Sequence, residues 1–385
     1  MPRWLYAFLV ALPFALIAHF LGWPPLATFL LAAISLIPLA GLIAVATETL
    51  SEHVGSYIGG LINATFGNAP ELIISFAALL AGLNTVVLAS IAGSIIGNSL
   101  FVLGMSMLIG GWRFRLQRFD ARSAGQYASL LALAVAGLVI PSLVGFFGGG
   151  LVTGQDVPDA AHLHALSMLV AVLLLVGYIA YLAHAIFHLH ADPNAVSDPL
   201  PFADDLTPGP NPTSSHKART TSAQPSWWFS GQMSIAGPLL LLGVVTVLTA
   251  VMSEVLVGAI EPMAEQNHLS PFFIGLIVLP IVGNAAEHAS AITMARRNRM
   301  EATMAITAGS AIQVALFVAP ILIIGSELTR HPLDFAFRPL ELVIFALTAG
   351  LYALVSLDGE STWLEGLQLM LFYLIVATAA FVVPA

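Results

Sequence analysis

Long apolar runs constrain this chain more than any other feature of it. They fall at about 4–22, 26–56, 60–82, 85–111, 124–147, 161–189, 233–262, 271–295, 300–328, 339–356 and 362–384. About 20 apolar residues in a helix cross the hydrocarbon core of a bilayer. Inside lipid every backbone polar group needs an internal partner, so such runs are expected as helices. Composition agrees: 9% of the 385 residues are charged and 58% are hydrophobic, against about 25% charged in a soluble domain. The expected fold is an all-α polytopic membrane protein with about eleven transmembrane helices, its partner the lipid bilayer. The first run follows Arg3, contains Pro13 and leads straight into the second. It reads as a retained helix, not a cleaved leader.

The same composition excludes other classes. There is no cysteine, so disulfide frameworks and thiolate metal sites are ruled out. The net charge of -9 is spread out, and nucleic-acid binding would call for basic patches. The one long polar segment, about 190–231, is rich in Pro, Ser, Thr and Asp and has no apolar period. It reads as a flexible linker. Its acids Asp192, Asp198, Asp204 and Asp205 are expected to be solvated, with weak cation binding as the alternative.

Basic residues in short loops mark the cytoplasmic side. Arg113, Arg115, Arg118 and Arg122 follow the fourth run, Lys217 and Arg219 lie in the linker, and Arg296, Arg297 and Arg299 separate the eighth run from the ninth. Eleven crossings and a cytoplasmic N-terminus place all three groups inside. Arg330 and Arg338 then fall outside, against the trend.

A shift of 216 residues superposes two segments without a gap. Gly67-Asn68-Ala69-Pro70-Glu71 falls on Gly283-Asn284-Ala285-Ala286-Glu287, Ala92-Gly93-Ser94 on Ala308-Gly309-Ser310, and Leu100-Phe101-Val102 on Leu316-Phe317-Val318. Over 67–109 against 283–325 there are 12 identities in 43 positions. Apolar bias does not align Asn, Glu and Ser at one constant offset, so the repeat is genuine. Five helices separate the copies, which gives them opposite orientations. Inverted repeats place a transport site near the midplane, where broken helices meet. The chain divides into an extra helix (1–24), a first five-helix repeat (25–190), the linker (191–231) and a second five-helix repeat (232–385).

Glu71 and Glu287 lie among apolar neighbours, where a charge costs about 2.5–3.5 kcal/mol on insertion scales. Protonated carboxyls hydrogen-bonded between helices are the plain alternative to a working site. The surroundings favour the site. Gly67 and Gly283 permit local unwinding that frees carbonyl oxygens, and Pro70 removes an amide donor. Asn68 and Asn284 supply oxygen or brace the carboxylates. Ser94, Asn98, Ser310 and Gln313, on the next helix of each repeat, are candidates to support them or to hold water. Oxygen ligands suit hard cations such as Ca²⁺, Mg²⁺ or Mn²⁺. Two carboxylates are neutralised equally by one divalent ion or by two protons, so a site loaded with either can cross a low-dielectric barrier. Exchange of cation for proton follows, without a bound cofactor.

Other ionisable groups are ambiguous. Glu48 and Glu52 share a face near the end of the second helix, and Glu254 and Glu261 lie in the corresponding helix of the second half. They line an ion access route or face headgroups. His288, next to Glu287, relays protons or is a satisfied core residue. His184, His188 and His190, with His162 and His164, lack the adjacent pairs of di-iron membrane enzymes, and no His-Glu-x-x-His occurs, so an enzyme is not expected.

GLINATFGNAPELIISFAALLAG followed by VLASIAGSIIGNSLFVLGMSMLIGG resembles the first signature repeat of the cation/proton exchangers, CAX, of the Ca²⁺/cation antiporter superfamily. PIVGNAAEHASAITMARRNRMEATMAITAGSAIQVALFVAPILI resembles the second. The resemblance implies eleven helices, two five-helix halves and Ca²⁺/H⁺ antiport, with Glu71 and Glu287 at the positions of the ion-binding glutamates. It implies Ca²⁺ and H⁺ as the transported ions and a prokaryotic cell membrane as the setting. Many relatives carry a strongly acidic segment between the halves; here the linker has four scattered Asp and several Pro.

Overall fold

In the computed structural model of the chain, residues 3–54, 56–151, 160–188 and 235–382 are described. They form thirteen principal helices and one two-stranded ribbon. The first half holds α1 (Ala7–Phe20), α2 (Pro25–Val54), α3 (Ser56–Phe66), α4 (Ala69–Leu80), α5 (Asn84–Phe114), α6 (Ala121–Leu151) and α7 (Ala160–His188). The second holds α8 (Ala236–Asn267), α9 (Pro271–Gly283), α10 (Ala285–Arg296), α11 (Met300–Ser326), α12 (Pro339–Val355) and α13 (Trp363–Val382). The four linker acids and His190 lie outside the described residues.

Local chemistry sets the boundaries. Pro25, Pro271 and Pro339 open their helices, where a missing N–H removes nothing. Ser270 accepts from Phe273 N at 3.1 Å at the start of α9. Asp120 caps α6 through the Ser123 amide and hydroxyl, at 2.7 and 2.6 Å.

All eleven apolar runs fall on helical segments. Seven helices are long and apolar enough to span a membrane, and the pair α9–α10, bent by 63° at Asn284, makes an eighth. Helices α1, α4 and α12 are shorter. The runs at 60–82 and 271–295 are therefore not continuous helices. Each breaks at its Gly-Asn pair, where the backbone of Asn68 (φ -99, ψ 16) and of Asn284 (φ -93, ψ 11) leaves the helical region in the same way.

Burial separates core from lipid-facing helices. The most apolar stretch of α5 is 94% buried and that of α11 is 78%, against 33% for α6, 22% for α7 and 28% for α13. The repeated pair α5 and α11 is thus the centre of the molecule. Both helices carry a π-turn, Gly97–Val102 and Val314–Val318, at matching repeat positions. Such turns widen a helix and recur at functional sites. Close packing joins the halves at Gly93, where a Cβ would come within 2.0 Å of Leu276 O on α9. Small residues allow such approach in membranes, where packing rather than the hydrophobic effect drives association. Outside the bundle, β1 (Leu116–Arg118) pairs antiparallel with β2 (Glu360–Thr362), Gln117 opposite Ser361.

Candidate ion-binding site

The two breaks meet between α5 and α11. Asn68 and Asn284 are the N-cap residues of α4 and α10, and Glu71 and Glu287 stand in the first turns. Asn-x-x-Glu is a sequence pattern for reciprocal helix capping, yet neither Asn side chain caps its own helix. Both reach into the opposite half instead. Asn68 Nδ2 donates to Gln313 Oε1 on α11. Asn284 Oδ1 accepts from Asn98 Nδ2 on α5 at 3.3 Å and from Ser310 Oγ at 3.4 Å. Its Nδ2 donates to Ser94 Oγ at 3.2 Å and to Pro280 O at 3.0 Å. Asn98 Nδ2 also donates to Ser310 Oγ at 2.8 Å.

The carboxylates sit on this network. Glu71 packs on Gly283, where a Cβ would lie 3.4 Å from its Cγ, so the glycine of one motif makes room for the glutamate of the other. Glu71 is 6% exposed, Glu287 is half-buried, and their charges bear on one another. Each lies at the positive end of a helix dipole, which favours an anion there. Three of the thirteen buried side-chain polar atoms that lack a hydrogen-bond partner among the described residues belong to this site: Glu71 Oε2, Glu287 Oε2 and Asn68 Oδ1. Buried polar atoms without partners are rare in folded proteins. An oxygen-only set of this kind fits a hard cation. Among the described residues no three His, Asp or Glu side chains converge as metal ligands, so a cation at this place would need further ligands from amide, hydroxyl or backbone oxygens or from water.

The structure thus brings together Asn68, Glu71, Gly283, Asn284, Ser94, Asn98, Ser310 and Gln313. Gly67 stays within its own break, its amide donating to Asn63 O at 2.9 Å. His288 is buried and meets the Phe101 ring edge-on at 5.9 Å. Glu48 is half-buried near the end of α2 with Glu52 exposed beside it, and Glu254 and Glu261 are exposed on α8. These four do not join the network. Two polar clusters were not foreseen: Gln117, whose Nε2 donates to Ala295 O at 2.9 Å and Asn298 Oδ1 at 3.1 Å, and His164 between Asp334 and Glu327. Gln117 joins the two arginine-bearing loops, 113–122 and 296–299, at one end of the bundle. A buried polar residue between charged loops was a faint signal for it; nothing local marked His164.

Two related halves that meet in a buried polar centre define a polytopic helical membrane transporter. The chain belongs to the sodium/calcium exchanger protein family, which matches residues 24–187 and 237–382. It is 36% identical to a Ca²⁺/H⁺ antiporter of Aphanothece halophytica, over 98% of this chain and 96% of that one. A Ca²⁺/H⁺ antiporter of Synechocystis is 37% identical over 98% of this chain and 96% of its own. The solved structure of native YfkE is 33% identical, with a TM-score of 0.77 over 98% of this chain and 100% of that one. The H⁺/Ca²⁺ exchanger CAX, at 16% identity and a TM-score of 0.70 over 98% of this chain and 91% of its own, shares the fold.

Proposed function

We propose that this protein is a secondary active antiporter that exchanges Ca²⁺ for H⁺ across a prokaryotic cell membrane. The observation that carries the reading is the meeting of the two glutamate breaks, with three buried oxygens left without partners. Relatives named as Ca²⁺/H⁺ antiporters over nearly the full length support the choice of ions. Transport, not bond chemistry, is the activity assigned.

Glu71 and Glu287 hold either one Ca²⁺ or two protons. Loaded either way the pair is neutral; empty it carries two charges whose burial is costly. Only loaded forms switch between sides, and coupling follows without a further device. Asn68, through its free Oδ1, completes the ligand set with water and backbone oxygens. The two halves, as inverted five-helix repeats flanking the site, alternate its access between the membrane faces. Counting α1, α4–α3 and α12 with the eight longer spans gives eleven crossings. The end bearing both arginine loops is cytoplasmic, and so is the N-terminus.

The test is Ca²⁺ uptake into everted vesicles or proteoliposomes under an imposed pH gradient. Uptake is expected to collapse when the gradient is dissipated; uptake indifferent to it overturns antiport. Glu71→Gln and Glu287→Gln are each expected to abolish exchange while the protein still folds. Competition by Na⁺, K⁺ and Mn²⁺ decides against the same architecture serving another cation.

A further inference from the structure

The connection between α11 and α12 is a strap fastened to the other half of the molecule. It turns back on Ser326, whose Oγ accepts from Leu333 N at 2.9 Å and donates to Ile323 O at 2.6 Å. Beyond the turn it crosses α6 and α7. The Ser142 hydroxyl donates to Phe335 O at 2.7 Å and accepts from Phe337 N at 2.9 Å. Ser167 accepts from Phe335 N at 3.1 Å. Phe335 and Phe337 are fully buried. At the turn after α4, Asn84 Nδ2 donates to Pro332 O at 3.1 Å. Gly82, with φ +77, lies so close beneath the His331 ring that a Cβ would come within 3.0 Å of it.

His164, in the first turn and a half of α7, stands between two carboxylates of this strap region. Its Nδ1 is 2.7 Å from Asp334 Oδ1 and its Nε2 is 3.1 Å from Glu327 Oε1. An ionised carboxylate only accepts hydrogen bonds, so an imidazole facing one at each nitrogen satisfies both only as the doubly protonated ring. The neutral ring satisfies one and turns a lone pair toward the other. The three side chains are 31%, 36% and 45% exposed, within reach of protons from solvent. Asp334 and Glu327 are the charged groups that bear on the ring. On the helices packed against α7, the ionisable residues of α6, Arg122 and Tyr127, lie in the first turns of α6, far along the chain from Ser142; Glu301 of α11 lies at the start of that helix, away from its Ser326 end; and α3 carries no acid, histidine, lysine or arginine.

We propose that His164, Glu327 and Asp334 form a second proton-binding site, separate from the central carboxylates, that fastens the outer turn of the strap when occupied and frees it when empty. The functional consequence rests on the antiport reading. Alternating access requires the halves to shift against one another, and a strap fastened between them slows that shift. Acidifying the strap face therefore slows exchange beyond any proton competition at Glu71 and Glu287.

The chain has no cysteine, so a single probe can be placed cleanly. Leu328, in the outer turn and 90% exposed, is replaced in the full chain by Leu328→Cys and spin-labelled in lipid nanodiscs. Label mobility is then followed from about pH 5 to about pH 8.5, either side of the ordinary histidine range. The immobilised spectral component is expected at acid pH and lost at alkaline pH. With His164→Gln added, the label is expected to stay mobile throughout, and thermal unfolding near that of the parent shows the fold intact. Mobility that ignores pH in the parent, or that changes identically in His164→Gln, overturns the site. This readout needs no transport, so it stands or falls independently of the antiport reading. In the uptake assay, His164→Gln is expected to outpace the parent when the strap face is acidic and to match it when alkaline. Equal rates in both conditions overturn the regulatory role.

Discussion

Asn68 and Asn284 hold equivalent places in the two repeats, yet their side chains are used differently. Every polar atom of the Asn284 amide has a protein partner, drawn from α5, α9 and α11. Asn68 gives its amide nitrogen to Gln313 and keeps its oxygen free. The difference comes from the residues opposite. Asn98 has no counterpart at Val314, and Gln313 none at Gly97, so the two asparagines face different partners. Asn284→Ala would take from Ser94 its side-chain partner and leave Asn98 and Ser310 the bond between them, a loss of about 1–3 kcal/mol, measurable as a lower thermal midpoint in detergent. Asn68→Ala is expected to spare the midpoint more and to raise the Ca²⁺ concentration for half-maximal uptake about tenfold, equivalent to about 1.4 kcal/mol of binding. Equal midpoints for the two variants would contradict this division.

At the scale of elements, helix ends decide where the spans stop and where the site opens. Breaks at Gly67-Asn68 and Gly283-Asn284 were legible because glycine followed by a cap residue inside an apolar run has few other readings. The π-turns of α5 and α11 were not legible, since no residue type marks them: the first opens on Gly97, Asn98 and Ser99, whereas Val314–Val318 is wholly apolar. Outside the membrane, Asp120 shows how an end responds to pH. Hydrogen bonds from the Ser123 hydroxyl and amide hold its carboxyl below the usual range. A depressed folded value means the cap contributes in full above the unfolded carboxylate value of about 3.9. That contribution is lost as pH falls through the lower folded value. Amide exchange at Ser123–Gly125 is expected to stay slow at pH 5 and to accelerate, after correction for intrinsic rates, only below about pH 4. Asp120→Ala is expected to show the faster exchange at every pH.

The whole molecule is held at two ends by contacts between its halves. At the arginine-bearing end, Gln117 in the ribbon is 1% exposed and bonds the last turn of α10, the helix that begins with the Glu287 turn. At the other, the strap binds the start of α5 and the helices α6 and α7. Gln117→Ala is expected to remove the bonds to Ala295 O and Asn298 Oδ1, while Ala295 O keeps the Asn298 amide at 3.0 Å, and to lower stability by about 0.5–1.5 kcal/mol, again read as a thermal midpoint. An unchanged midpoint would mean that water replaces the side chain. Eleven apolar runs, two related halves and two suspect glutamates could be read from the chain because lipid demands apolar length and a repeat preserves its offset. Glu48, Glu52, Glu254 and Glu261, expected on an access route or at the headgroups, are half-buried in the first case and exposed in the other three.

The sequence by itself determined that this chain lives in a membrane, that it was built twice from one pattern, and that each copy breaks beside a glutamate. Those features depend on local composition and spacing, which solvent and backbone chemistry constrain directly. Tertiary structure decided that the two breaks touch, with Glu71 lying on Gly283. It also decided that the capping asparagines serve the opposite half, that three oxygens remain free, and that His164 meets two carboxylates more than 160 residues away in the chain. Such pairings depend on which helix faces which across the core, and in lipid that choice is made by close packing of small residues, whose specificity no single segment contains.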